Sequence, residues 1–505
     1  MAIEEAKDAS VVDASVPDTT TSTATGATTD PAGDTDPAAD GASPASAGGR
    51  SSGTWAAVRP LLLRMHFYAG LLIAPLLFLA ATTGLLYALS FQAEKFVYAD
   101  ELTVAAAPAG AAARPLSEQV AAATAAAPQG EVVAVWPAPD REATTRVIME
   151  GPGLAEDATL TVFVDPYTAQ VRGQLETVSD ALPLRAWLSD FHSNLQLGES
   201  GRIYSELAAS WMWVVALGGL ALWIGRRRAC RSELVLPDRK ATGRRKTLSW
   251  HATVGLWASA GLVVLSATGL TWSTYAGANI DELQTGLGGA TPSVSATLDG
   301  AAGGGDQHAG HHGGGTAKPA PAGQDVGIDR ALAAARAAGV TESLQITLPV
   351  EGKGYVIKEK DRQVPVHLDA VSVDPADGRV MDTLRFADHP LLAKLTRFGI
   401  DAHMGLMFGL ANQVVLAALA LSVMFLVFWG YRMWWLRRPT KSDRLAFGRP
   451  QPRGAWRRLP VTALLPLAAV TALIGWFVPL LGISLVVFLI LDAALGVVAR
   501  RRTAA

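Results

Sequence analysis

The chain has 505 residues, half of them apolar and 17% charged, with a formal net charge of -2. That composition supplies several membrane spans with room left for polar modules, and the near-balanced charge gives no sign of a nucleic-acid partner. A single cysteine, Cys230, excludes a disulfide framework and any paired-cysteine metal or redox site.

Residues 1–53 are mostly Ala, Thr, Asp, Ser, Pro and Gly, too poor in large apolar side chains to offset their ordering entropy, and read as a disordered tail. No basic start followed by an apolar run opens the chain, so the first span is expected to be its own insertion signal. Apolar runs long enough to cross about 30 Å of hydrocarbon then predict transmembrane helices within 60–90, 191–225, 249–274 and 401–431, and a closing hairpin of two more over 459–498. The segment 191–225 begins with a short interfacial stretch before its span. Nine Lys or Arg fall in residues 225–246 and nine more in 431–458. The positive-inside rule places the basic loops 226–248 and 432–458, and both termini, in the cytoplasm of a multi-pass plasma-membrane protein. The long connections 91–190 and 275–400 are then outside.

Internal repetition organises the rest. "RMHFYAGLLIAPLLFLAATTGLLYALS" aligns without a gap on "LSWHATVGLWASAGLVVLSATGLTWST", each with a histidine (His66, His251), a glycine four residues on (Gly70, Gly255) and a second glycine eighteen on (Gly84, Gly269). "DFHSNLQLGESGRIYSELAASWMWVVALGGLALWIGRRR" aligns on "DAHMGLMFGLANQVVLAALALSVMFLVFWGYRMWWLRR", matching His192 to His403. The outside segments repeat too: a small helix, then β-rich runs ending in V-D-P at Asp165 and Asp374, as in "TVFVDPYTAQVRG" and "VSVDPADGRV". The expected fold is an internally duplicated α-helical integral membrane bundle of six transmembrane helices with two small α+β extracytoplasmic domains.

V-D-P-x-x-x-x-V after a small helix resembles the PepSY domain, and His-x-x-x-Gly entering a span that carries T-G near its end resembles the PepSY-associated transmembrane family. The resemblance covers about residues 55 to 440. It implies an iron-regulated membrane protein, and some members are similar to haem-containing reductases of ferric siderophores.

The histidines are the candidate site. Four of the nine stand at matched repeat positions near the membrane edges, and neutral imidazoles on facing helices are a common way to hold haem b. Repeat symmetry pairs His66 with His251 at the cytoplasmic side and His192 with His403 at the outer side, as axial iron ligands of two b-type haems. Eighteen residues return to the same helix face, so His66 shares a stripe of small residues with Gly70, Ala74, Ala81 and Gly84, and His251 with Gly255, Ser266 and Gly269. Such a stripe admits a flat macrocycle or, equally, a neighbouring helix. The rival reading of the outer pair is a turn that recurs in both repeats and nothing more.

Other residues carry less. "DQHAGHHGGG", with His308, His311 and His312, is a Gly-rich tract that reads as a flexible insert ahead of metal binding. Trp55, Trp223, Trp434, Trp435 and Trp456 form an aromatic belt. Glu206 has no acid at its matched position, Ala417, and is a helix-end carboxylate or a proton or iron contact. No Gly-rich nucleotide motif and no hydrolytic constellation is present, so electrons must come from a separate cytoplasmic donor or membrane quinol. The expected role is electron transfer across the membrane to an external ferric chelate such as a ferric siderophore, in iron acquisition. The alternatives are a haem-free PepSY regulatory or binding protein and a metal or siderophore uptake component.

Overall fold

A computed structural model describes residues 53–105, 110–155, 157–225, 235–298, 325–360, 363, 368–437, 454 and 459–504. The chain opens with helices α1 (Gly53–Leu72) and α2 (Ala74–Val97), which meet at Ile73. The first apolar run is therefore broken where a single helix was expected. Pro75 is the cause: it has no N–H to give Leu71, four residues back. The Leu71 carbonyl instead accepts a hydrogen bond from the Tyr431 hydroxyl at 2.9 Å.

A short α3 (Ala99–Leu102) leads to α4 (Leu116–Ala126) and the strands β1 (Glu131–Trp136), β2 (Thr145–Glu150), β3 (Ala158–Val164) and β4 (Val171–Val178). The chain then returns through α5 (Pro183–Asn194) and α6 (Glu199–Ile224). The second half follows the same plan: α7 (Gly243–Leu270), α8 (Tyr275–Gly286), α9 (Ile328–Ala337), β5 (Leu344–Thr347), β6 (Tyr355–Glu359), β7 (Ala370–Val373), β8 (Val380–Leu384), α10 (Leu391–His403) and α11 (Leu410–Trp435). The hairpin α12 (Val461–Phe477) and α13 (Pro479–Ala504) closes it.

The strands form one antiparallel sheet in the order β4-β3-β2-β1-β5-β6-β7-β8. Two four-stranded meanders join through β1 and β5, with Ala134 opposite Thr347 and Val135 opposite Ile346. What reads in sequence as two separate outside domains thus shares one sheet and one core, in which Val135, Val147 and Val162 pack with Ile346, Ile357 and Val371. Asp329 of α9 ties the halves further. Its carboxylate accepts from the backbone N–H groups of Leu116 at 2.7 Å and Ser117 at 3.2 Å, capping the first turn of α4. The V-D-P turns repeat as well: Asp165 Oδ1 accepts from the Tyr167 N–H and Asp374 Oδ1 from the Ala376 N–H, both at 2.8 Å.

Among the described residues five helices are long and apolar enough to cross a membrane: α2, α6, α7, α11 and Pro479–Val498 of α13. The sixth expected span, α12, has only 17 residues. Small residues bring α6 and α7 together, where the Ser266 hydroxyl donates to the Ala209 carbonyl at 2.6 Å. Glu206 proves to be a cap: its carboxylate accepts from the Tyr275 and Ala276 N–H groups at 3.0 and 2.9 Å, at the start of α8. This is the helix-end carboxylate role, in which each oxygen accepts one backbone N–H. The histidine tract at 308–312, Trp456 and Cys230 lie outside the described residues.

Candidate functional site: four half-buried histidines

His66 on α1 and His251 on α7 stand next to each other with ring centroids 6.3 Å apart and planes at 80°. Each ring is tied back to a different helix. His66 Nδ1 lies 3.1 Å from the Val215 carbonyl of α6, and His251 Nδ1 lies 3.2 Å from the Leu426 carbonyl of α11. A carbonyl only accepts, so the network assigns the proton to Nδ1 in both rings and leaves the Nε2 lone pair free. Gly219 of α6 makes room for the first ring, since a Cβ there would lie 3.0 Å from His66 Cε1.

The outer pair is built another way to the same end. His192 lies in the last turn of α5, and His403 is the final residue of α10. Leu195 (φ 55°), Gly405 and Gly409 then turn the chain from these short helices into the spans that follow. The hydroxyl of Thr83, on α2, lies 2.9 Å from His192 Nδ1, and that of Thr268, on α7, lies 2.7 Å from His403 Nδ1. Thr83 donates its own proton to the Leu79 carbonyl at 3.0 Å and Thr268 to the Val264 carbonyl at 2.8 Å. With the hydroxyl protons given to these carbonyls, each threonine oxygen accepts from Nδ1–H, the arrangement that matches the inner pair. A Cβ on Gly84 would sit 3.1 Å from His192 Cε1, and one on Gly269 3.5 Å from His403 Cε1. His192 and His403 lie within electrostatic reach of each other.

These contacts reassign part of the small-residue stripe. Gly84 and Gly269 seat the outer histidines of the following short helices, while Gly70 has nothing within 4 Å of an added Cβ. The T-G pair at the end of each run thus works as one unit, glycine for space and threonine for a hydrogen bond. The threonines and the Val215 and Leu426 carbonyls escaped sequence reading; the T-G motif was visible, but its partner in space was not. The inner and outer sites lie at opposite ends of the bundle: His251 and Thr268 are seventeen residues apart on α7, about 26 Å along the axis.

The inner spacing fits one metal ion between two rings. A metal–imidazole bond of about 2 Å on each side, with about 1 Å from each nitrogen to its ring centre, separates the centroids by about 6 Å. Neutral imidazoles with Nδ1 committed and Nε2 free are the form in which histidine ligates, and the Nδ1 partner fixes tautomer and ring orientation. Among the described residues no group of three or more His, Cys, Asp or Glu could hold a bare metal ion.

Above the outer pair, a cavity of about 280 Å³ opens between the sheet and the helices. Its walls include Trp136, Arg146, Arg185, Lys360 and Met404, the residue after His403. Lys360 is paired with Asp180 and stands 3.6 Å from the centre of a Trp136 ring. Burial, and next the neighbouring Arg185 guanidinium, push Arg146 down to about 10. Asp180 pairs with Lys360, and Glu94, 3.7 Å from Arg185, faces the arginines, so three cations meet two carboxylates and the mouth keeps a single excess positive charge.

Fold and site together define an integral membrane helical protein whose helices carry four half-buried histidines, and which bears an eight-stranded β-sheet. Residues 63–437 match the family described as the PepSY-associated TM region, and the chain belongs to that family. No curated protein matches the chain.

Proposed function

We propose that this protein is a two-haem, b-type electron conduit of the plasma membrane that passes electrons to an external ferric complex such as a ferric siderophore. The observation that supports this reading most is shared by all four histidines: Nδ1 lies within hydrogen-bond distance of a carbonyl or threonine oxygen on a neighbouring helix, the kind of partner that orients a ligating ring. His66 and His251 would hold one haem, and His192 and His403 the other. Haem supplies reversible one-electron chemistry at its iron. The chain's part is to fix ligand orientation and tautomer, and to surround both sites with apolar helix.

In this reading the molecule is two copies of span, PepSY domain and span, with six membrane crossings counting the shorter α12. The basic loops and both termini face the cytoplasm. The cationic cavity beside His403 receives the acceptor, where Arg146, Arg185 and Lys360 attract an anionic chelate and Trp136 offers it an aromatic wall. Reduction loosens iron from such a chelator, which makes the protein a ferric-complex reductase.

The test uses proteoliposomes with a reductant trapped inside and a ferric hydroxamate outside, in which ferrous iron is trapped by a coloured chelator. Protein-dependent iron reduction that is lost in His66→Ala supports the conduit. Rates equal to protein-free vesicles overturn it.

A further inference from the structure

The hairpin α12–α13 breaks the symmetry of the bundle. It packs on α1 and α6 and has no counterpart against α7 and α11. Trp211 of α6 donates its indole N–H to Ser484 at 2.9 Å, Tyr68 of α1 meets Phe488 with ring centroids 5.5 Å apart, and Arg64 of α1 pairs with Asp492. The two arms of the hairpin touch backbone to backbone, since a Cβ on Gly482 would sit 2.4 Å from the Gly475 carbonyl oxygen. A cavity of about 260 Å³ remains between the hairpin and the bundle, with walls that include Met65, His66, Trp211, Leu217, Thr471 and Gly475. His66 is thus a wall residue of this cavity.

The walls say what fits. They are apolar and lie within the spanning region, and Met65 and Leu217 are 37% and 43% exposed at the rim, so the occupant enters from lipid. The volume is just under the range of about 300–1,000 Å³ that takes drug-sized ligands, so it suits one or two fused rings and not a macrocycle. The polar groups on the inside are acceptors. The Thr471 hydroxyl gives its proton to the Leu467 carbonyl at 2.7 Å and keeps its lone pairs, and the Trp211 N–H is already committed to Ser484. An aromatic diol, with two O–H donors and flat apolar faces, matches that wall.

We propose that this cavity binds the head group of a lipid-soluble quinol, the electron donor of the conduit, against His66. The inference rests on the two-haem reading for its redox role and on the cavity alone for binding. As donor, the quinol breaks two O–H bonds and becomes the quinone. In that reading a haem held by His66 and His251 would take the two electrons one at a time, and the two protons would pass to water. The hairpin thereby makes one end of a symmetric bundle into an entry port.

The test is photolabelling of the full-length protein in nanodiscs with an azido-naphthoquinone, with labelled peptides mapped by mass spectrometry and haem read from the absorption spectrum of the same sample. The expected result is label on α1, α6 and the hairpin that excess 2,3-dimethyl-1,4-naphthoquinone removes. Leu217→Trp, which fills the cavity from its exposed rim, should cut that label at least tenfold. Phe428→Trp, at the matched position of α11, should leave it unchanged. Label that spreads over all lipid-facing helices, that survives Leu217→Trp, or that added phospholipid displaces as well as the quinone does overturns the site. A sample with haem and no competed label overturns the quinol site and leaves the conduit standing; competed label without haem keeps the binding site and overturns its redox role.

Discussion

Gly219→Ala separates ligand positioning from helix stability, because the symmetry of the bundle supplies its own control. The new Cβ would stand 3.0 Å from His66 Cε1, whereas carbon atoms rest about 3.5–4.0 Å apart, so the ring must move by about 0.5 Å. His66 Nδ1 is already 3.1 Å from the Val215 carbonyl, near the limit of about 3.2 Å for such a bond, and that shift breaks it. An N–H left without a partner in the apolar bundle costs about 1–3 kcal/mol, against about 1 kcal/mol gained by replacing a helical glycine. A net loss of about 0–2 kcal/mol, centred near 1 kcal/mol and felt at one ligand, lowers affinity for the inner haem about fivefold, and by up to about thirtyfold. Gly430→Ala, at the matched position of α11, meets nothing within 4 Å and keeps only the helix gain. The assay is haemin titration of haem-free protein by absorbance, with the apparent Tm of each variant. Gly219→Ala should bind one haem normally and the other weakly, and Gly430→Ala should bind both as wild type with an equal or higher Tm. Two unchanged haems in Gly219→Ala, or equal losses in both variants, would refute the reasoning.

Three further outcomes follow from the same contacts. Thr83→Val and Thr268→Val keep shape but remove the acceptor of an outer Nδ1–H, and loss of such a partner weakens a metal site about 10–100-fold. In a redox titration one haem transition should shift or shrink while the other holds its midpoint; movement of both, or of neither, contradicts the assignment. Asp329→Ala uncaps α4 and should destabilise the shared sheet by about 0.5–2 kcal/mol with the haem spectrum untouched, as read by thermal unfolding and proteolysis of the outer region. Arg146→Ala or Lys360→Ala should raise the KM for an anionic ferric chelate several-fold, steepen less with salt, and leave kcat near wild type; an unchanged KM removes the cavity from the acceptor path.

The sequence repeat exposed the histidine pairs because it is a statement about one-dimensional spacing, and His66 with His251 did come together as neighbours in space. What it missed was mostly set by three-dimensional packing. Gly84 lies eighteen residues from His66 and so on the same helix face, yet it serves His192, which reaches it by the fold-back of α5. Thr83 belongs to the legible T-G motif, but only that fold-back brings His192 against it. The V-D-P turns were legible because Asp165 and Asp374 act on N–H groups two residues away. The β1–β5 join was not, since no periodicity records which edge strands meet. Glu206 illustrates the limit from the other side: an unmatched acid at a helix end suggested chemistry, and the backbone of α8, about seventy residues on, supplied the reason for it.

The central claim is that the four histidines hold two haems in two independent pairs. Haem per chain, measured on protein purified from haem-supplemented cells by the pyridine haemochrome spectrum and protein mass, tests it directly. The account predicts two in the wild type, about one in His66→Ala, about one in His403→Ala, and none when both are replaced. No haem in the wild type, or two in either single variant, would contradict it.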